Sequence, residues 1–196
     1  MASAEDNLRR YSTPFQLHLA FFDRNNDGYI NFGEALRGNL AIGLDFPVAF
    51  GMALGYHIAY GNTSILYGPF NPIEIAKVKT ERNMLEHIRL DELPSRGIDR
   101  KTLVAAAQPI GFVDKMHING LWAFAADRQG IISSHDIGMY QKGTMLYELA
   151  ERRKDNRDHV LPLSRGGPIS VAGHSWFVDK LFGVKVYQLP DVKKSE

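Results

Sequence analysis

Asp23, Asn25 and Asp27 stand at alternate positions in "FFDRNNDGYINFGEAL", residues 21 to 36, with Gly28 next and Glu34 at the twelfth place counted from Asp23. These residue types at this spacing are oxygen donors for a hard divalent cation. A calcium loop of the EF-hand type is twelve residues long, with donors at positions 1, 3, 5, 7 and 9, a glycine at 6 and a bidentate glutamate at 12. Asp23, Asn25, Asp27, the backbone carbonyl of Tyr29, Asn31 (directly or through a water) and Glu34 fill every place. Gly28 supplies the positive φ of the turn, and Ile30 at position 8 is the apolar residue that pairs with a second loop. A plain Asx-rich turn needs no glutamate at that distance. Calcium is therefore the first cofactor implied.

The loop needs a helix on each side. In "STPFQLHLAFFD" Thr13 caps, Pro14 suits the first turn and Gln16 completes a capping box. Phe15, His18, Leu19 and Phe22 then share one side, so His18 faces the interior just ahead of the loop. The exiting helix runs from Phe32 to about Gly43, with Leu36 and Leu40 on its apolar stripe. The partner loop is expected within residues 121 to 154. There an apolar helix ends at Asp127, a short loop carries Gly130, Ile131 and Ile132, and Ser134 opens one long amphipathic helix. This second loop has too few donors, and Gly138 stands at its twelfth place, so it is read as a degenerate hand that packs without metal.

Phe46 to Tyr60, "FPVAFGMALGYHIAY", is apolar over 15 residues, and Asp45 is placed to cap it. A membrane span needs about 20 such residues. The segment reads as a buried helix or pocket wall, with shallow docking onto a lipid surface as the other reading. Asn71, Pro72 and Glu74 predict the start of another helix, and a short one is expected from Arg100 to Gln108. Beyond Lys154, "LPLSRGGPISVAG" is turn-rich, "HSWFVDKLFG" suits a short helix and "VKVYQ" a strand. The stretch "GHSW" is no nucleophile elbow, because Phe177 takes the place of that motif's second glycine.

The 196 residues suit a single domain with a real core. Basic and acidic residues nearly cancel, at 23 and 22, which excludes a global case for nucleic acid. The basic residues between Lys77 and Arg89 are interspersed with Glu81 and Glu86, as on a solvated helix face. Cysteine is absent, so disulfides, thiolate nucleophiles and thiolate-ligated haem are excluded. "MASAEDNLRR" has no apolar signal core, which points to a cytoplasmic or membrane-surface location. His117, His135, His159 and His174 show no metal-site spacing.

"FQLHLAFFDRNNDGYINFGEALRGNLAIGLDF", the apolar segment, "YGPFNPI" and the degenerate second hand together resemble the caleosin family, calcium-binding proteins of plant and fungal lipid droplets. The resemblance spans roughly residues 12 to 154 and suggests a divergent, fungal-type member. It implies a mainly α fold: an EF-hand pair, one loop complete and one degenerate, with an inserted apolar helical segment and a small irregular or β C-terminal extension. The chain then divides into a flexible N-terminus (1–11), the caleosin-like EF-hand domain (12–154) and an extension packing on it (155–196).

The family also implies chemistry. Many caleosins are haem peroxygenases that move oxygen from a fatty-acid hydroperoxide to an unsaturated lipid, with histidine on the iron. His18 matches the first family histidine. Ala76, Lys79 and Asn83 stand where the others are usual, the family's Gly-Ser-Asp is missing, and His87 comes about a helical turn late. Three readings follow. The leading one is a haem-independent cyclase or isomerase acting on an apolar small molecule (terpenoid, polyketide or lipid), for example by a pericyclic [4+2] closure, with His18, Tyr56, His57 and Tyr60 as candidate catalytic residues and Asp45 and Trp122 near them in role. The second is a haem peroxygenase with His18 as axial ligand and His57 or His87 near the iron. The third is a non-enzymatic calcium protein of the lipid-droplet surface. His57 and the tyrosines each have a plainer reading as core packing. The pattern specifies no oligomeric state.

Overall fold

Thr13 opens the first helix as the sequence predicts. Its hydroxyl accepts the Gln16 N–H at 3.3 Å, Pro14 takes the first helical place, and α1 runs Pro14–Ala20. The structure is a computed structural model that describes residues 10–61, 70–78, 85–108 and 111–188. Of the expected flexible N-terminus, residues 1–9 lie outside the described residues, whereas Tyr11 is buried and Arg10 Nη1 donates to the Asn26 carbonyl at 2.6 Å. After the loop come β1 (Tyr29–Ile30) and α2 (Phe32–Ala41), whose start is a capping box. The Asn31 side chain accepts the Glu34 N–H at 3.0 Å, and the Glu34 carboxylate accepts the Asn31 N–H at 3.1 Å. Asp45 caps α3 (Phe46–Tyr60) by accepting the Phe46 N–H at 2.9 Å, and α3 packs along α2.

The remaining elements are β2 (Ile73–Glu74), β3 (Ile98–Asp99), α4 (Arg100–Ala107), α5 (Gly111–Ala125), β4 (Ile131–Ile132), α6 (Ser134–Gln141), α7 (Met145–Lys154) and α8 (Val171–Phe182). The fold is mainly helical with two small antiparallel sheets among the described residues.

Strand pairing corrects one expectation. The calcium-type loop does not pair with the loop at 127–138. Ile30 stands opposite Ile73 and Tyr29 opposite Glu74, while Ile98 stands opposite Ile132 and Asp99 opposite Ile131. Helix, two-residue strand and helix thus recur in each half of the chain, and each strand pairs within its own half. Ile30, Ile73, Ile98 and Ile132 are all buried, so both pairs are anchored in the one apolar core.

Three other readings change. Asn71, Pro72 and Glu74 do not start an α-helix: Ile73 and Glu74 are extended and a 3-10 turn follows at Ile75–Lys77, with residues 79–84 outside the described residues. The single long helix expected from Ser134 is two, capped instead by Ser133 and broken at Gly143, whose φ is +77°. A Cβ there would meet Leu17 Cβ and the Pro14 carbonyl at 2.6 Å, so the break seats the start of α1. The extension holds no strand among its described residues. Its main element is α8, begun by the Ser170 cap and ended by left-handed Gly183. "VKVYQ" is irregular because Tyr187 is left-handed (φ +52°), and the Tyr187 and Gln188 N–H groups donate to the Arg153 and Lys154 carbonyls at the end of α7. The buried Tyr187 hydroxyl donates to the Gly43 carbonyl at 3.2 Å and accepts the Leu161 N–H at 3.1 Å, which fastens the extension to the domain. Among the described residues no helix is long and apolar enough to cross a membrane.

Candidate calcium loop and apolar cavity

The loop is organised around its carboxylates. Asp23 accepts the Asp27 N–H at 3.1 Å and the Gly28 N–H at 2.8 Å, Asn25 accepts the Asp27 N–H at 3.1 Å, and Asp27 accepts the Tyr29 N–H at 2.8 Å. Gly28 has φ +91°, the conformation the loop requires at its sixth place. Among the described residues no three His, Cys, Asp or Glu side chains are drawn into a metal-gripping cluster, in keeping with a donor set that is half amide and carbonyl. Asp23 and Glu34 are only 2% and 5% exposed, yet neither has a basic side chain within ion-pairing distance among the described residues. Two buried carboxylates without a directly paired cation are costly, and Arg24 acts on Glu34 only at longer range. An all-oxygen loop with that deficit fits calcium.

A second feature lies behind α1. Met52, Tyr56 and Tyr60 fall at every fourth place on one face of α3 and meet Phe15, His18 and Phe22 of α1 across an apolar cleft of about 120 Å³. Helix α5 adds His117, Gly120, Leu121 and Phe124, and Tyr140, Met145 and Leu146 close the far side. His18, Tyr56 and Tyr60 are thus brought together. His57 is not, because it points off the other side of α3. It packs on Phe32 with ring centroids 5.8 Å apart, and its Nδ1–H donates to the Asn71 carbonyl at 2.7 Å. Its Nε2 is buried without a partner among the described residues. His87 is also elsewhere, donating from Nε2 to the Ala106 carbonyl at 2.9 Å. Asp45 serves as the α3 cap, and Trp122 belongs to the second loop, where its Nε1–H donates to the Gly130 carbonyl at 2.9 Å.

His117 is the cavity residue that sequence reasoning missed. Its Nε2 lies 3.0 Å from the Tyr60 hydroxyl. The available signal was the recurrence of His117, Leu121 and Phe124 on one helical face, in a helix that starts ten residues earlier than its apolar core suggests.

His18 Nε2 lies 3.1 Å from the Tyr140 carbonyl, so it must carry the proton, and Nδ1 keeps a free lone pair. Burial, aided by nearby His117, lowers the His18 pKa to about 4 despite the opposing pull of that hydrogen bond, so the ring is neutral at ordinary pH. Burial alone raises the Tyr56 phenol, which therefore keeps its proton and makes no hydrogen bond among the described residues. A neutral base and a neutral donor facing one apolar cleft can polarise a carbonyl or move a proton without a cofactor.

The cleft is small for haem: sites for drug-sized ligands measure about 300 to 1,000 Å³, against about 120 Å³ here. Of the histidines the resemblance offers as neighbours of the iron, neither His57 nor His87 reaches the cleft; the second histidine lining it is His117, whose Nε2 lies 3.0 Å from the Tyr60 hydroxyl.

The fold and loop define a mainly helical protein with one complete calcium-type loop. Residues 10–88 match the Caleosin family model, described as caleosin related protein, and the chain is caleosin-like. That likeness implies calcium binding. The matched segment holds the loop, His18, Tyr56 and Tyr60, whereas His117 and Tyr140 come from outside it. No curated protein and no solved structure matches the chain.

Proposed function

We propose that this caleosin-like protein is a calcium-stabilised, haem-independent cyclase or isomerase acting on an apolar small molecule. The observation that carries this reading is the convergence of His18, Tyr56 and Tyr60 on one apolar cleft. Asp23, Asn25, Asp27, the Tyr29 carbonyl, Asn31 and Glu34 would hold the calcium, which neutralises the buried carboxylates and fixes the turn that follows α1. The loop thereby positions His18.

A cleft of about 120 Å³ is close to the cavity size that takes a benzene ring. It suits the reacting portion of a terpenoid, polyketide or lipid chain, with the remainder leaving through the open side. A ring closure within one bound molecule rearranges its own electrons, and no atom enters or leaves. Holding the two ends in contact in a water-poor cleft lowers the barrier. The Tyr56 O–H would polarise an acceptor on the substrate, and in an isomerisation His18 Nδ1 would take a proton from one substrate carbon and return it to another, leaving the ring neutral. The test is saturable binding of a fluorescent linear polyene. In Gly120→Leu, binding should fall about tenfold or more, because a Cβ at Gly120 meets only Phe124, at 3.8 Å, and a longer side chain there takes up cleft space. Equal binding by both proteins would overturn the reading.

One observation favours a surface role alongside this. The outward side of α3 exposes Val48, Phe50 and Ile58, at 40%, 40% and 60%, with no charged residue in the helix. Such a face suits shallow burial at a lipid surface. Liposome flotation of the wild type against Phe50→Glu/Ile58→Glu measures it.

A further inference from the structure

A larger cavity, of about 350 Å³, lies under the second loop and within the size range of small-molecule sites. Sequence reasoning leaves this loop without a ligand. Its carbonyls are taken by an arginine from the C-terminal extension: Arg165 donates to the Ala126 and Asp127 carbonyls at 2.7 and 2.8 Å and lies 5.3 Å from the Trp122 ring centroid. Four more arginines line the cavity, 96, 128, 152 and 153, against Asp127, Asp136 and Asp158.

The charges do not balance. Asp136 is held by Arg152 at 3.1 Å, and the Asp127 carboxylate accepts the Gln129 and Ile131 N–H groups. Among the described residues, Arg96, Arg128, Arg153 and Arg165 have no carboxylate within ion-pairing distance. Arg153 is the most telling, at 3% exposure. Its donors reach the Ile42, Phe124 and His159 carbonyls, so its geometry is satisfied while the carboxylate acting on it, Asp136, is paired with Arg152 instead. A buried guanidinium without a counter-ion is a deficit that an anion in the adjoining cavity would relieve. His159, on the same wall, is held toward its neutral form by burial and by Arg152 and Arg153, as a positive field requires. Guanidinium groups match phosphate oxygens in paired hydrogen bonds; Arg96 and Arg128 are exposed at the cavity, Arg96 with one donor on the Gln129 side-chain carbonyl that a phosphate would have to displace or share.

We propose that this arginine-lined cavity binds the phosphate group of a small molecule, at a site separate from both the calcium loop and the apolar cleft.

The experiment is calorimetric titration of the full chain with inorganic phosphate at constant ionic strength, with succinate as the carboxylate probe. Saturable binding of one phosphate per chain is expected, about tenfold or more weaker in Arg96→Gln/Arg128→Gln, whose exposed positions leave folding intact. The same isotherm is expected with and without added calcium, which separates this site from phosphate bridging a loop calcium. Heats that do not saturate, an unchanged isotherm in the double variant, binding that needs added calcium, or succinate binding as tight as phosphate would each overturn the assignment.

Discussion

The Nε2 atom of His18 lies 3.1 Å from the backbone carbonyl oxygen of Tyr140. One contact between α1 and α6 thereby fixes the tautomer of the most chemically capable residue in the cleft, with the proton on Nε2 and the lone pair on Nδ1. It also has a pH consequence. The folded His18 pKa is lowered to about 4, whereas the unfolded chain takes up that proton near 6.5. Between these values the unfolded state binds more protons, so stability is complete above about pH 6.5 and falls as pH drops toward 4. His159 and His174 are shifted the same way. Melting temperature should decline across this window in the wild type and less steeply in His18→Gln; parallel curves would contradict the burial of a neutral His18.

Glu34 closes the loop and caps α2, so its replacement tests both roles. Glu34→Gln keeps the hydrogen bond to the Asn31 N–H but loses the bidentate charge. Calcium affinity should fall by at least about tenfold, and the stabilisation that saturating calcium confers, about 2.7 kcal/mol at a hundredfold excess over Kd, should be lost with it. Melting with and without a chelator checks this. A wild type whose melting ignores the chelator would count against a structural calcium.

The pairing of Ile30 with Ile73 makes a discriminating prediction. Ile73→Ala and Ile132→Ala each empty a fully buried site and should cost about 2 to 5 kcal/mol. Only the first touches the sheet next to the calcium loop. Calcium titration should show weaker binding in Ile73→Ala and wild-type affinity in Ile132→Ala; the reverse order would mean that the loop leans on the other half of the chain.

Glycines on α2 and α3 should respond with opposite signs to alanine. A Cβ at Gly38 would stand 2.3 Å from the Phe22 ring, which lines the cleft, so Gly38→Ala should cost about 1 to 3 kcal/mol and weaken polyene binding. At exposed Gly51 nothing lies within 4 Å, and alanine should stabilise by about 0.5 to 1 kcal/mol. Denaturant unfolding of the two variants measures both.

The calcium loop and the cap of α1 are legible in the sequence because every feature that defines them is local: donors at fixed intervals, Thr13, Pro14 and Gly28. Pairing was not, since Ile30, Ile73, Ile98 and Ile132 are chemically alike and only tertiary packing chooses among them. In α3 the residues are apolar on all sides, so periodicity does not reveal that Tyr56 turns into the cleft while adjacent His57 turns away. His117 was hidden for a related reason. Gly111, with φ +87°, and Gly120 disguise the start of α5. Tyr187 defeats the expected strand because its left-handed backbone is stabilised by contacts with Arg153 and Gly43, far away in sequence.

The most direct measurement is an absorption spectrum of the full chain produced with a haem precursor, with calcium and iron counted by elemental analysis. The complete loop and a cleft of this size predict about one calcium per chain, no stoichiometric iron and no Soret band. A Soret band with near-stoichiometric iron, lost in His18→Ala, would contradict the haem-independent reading and make His18 an iron ligand.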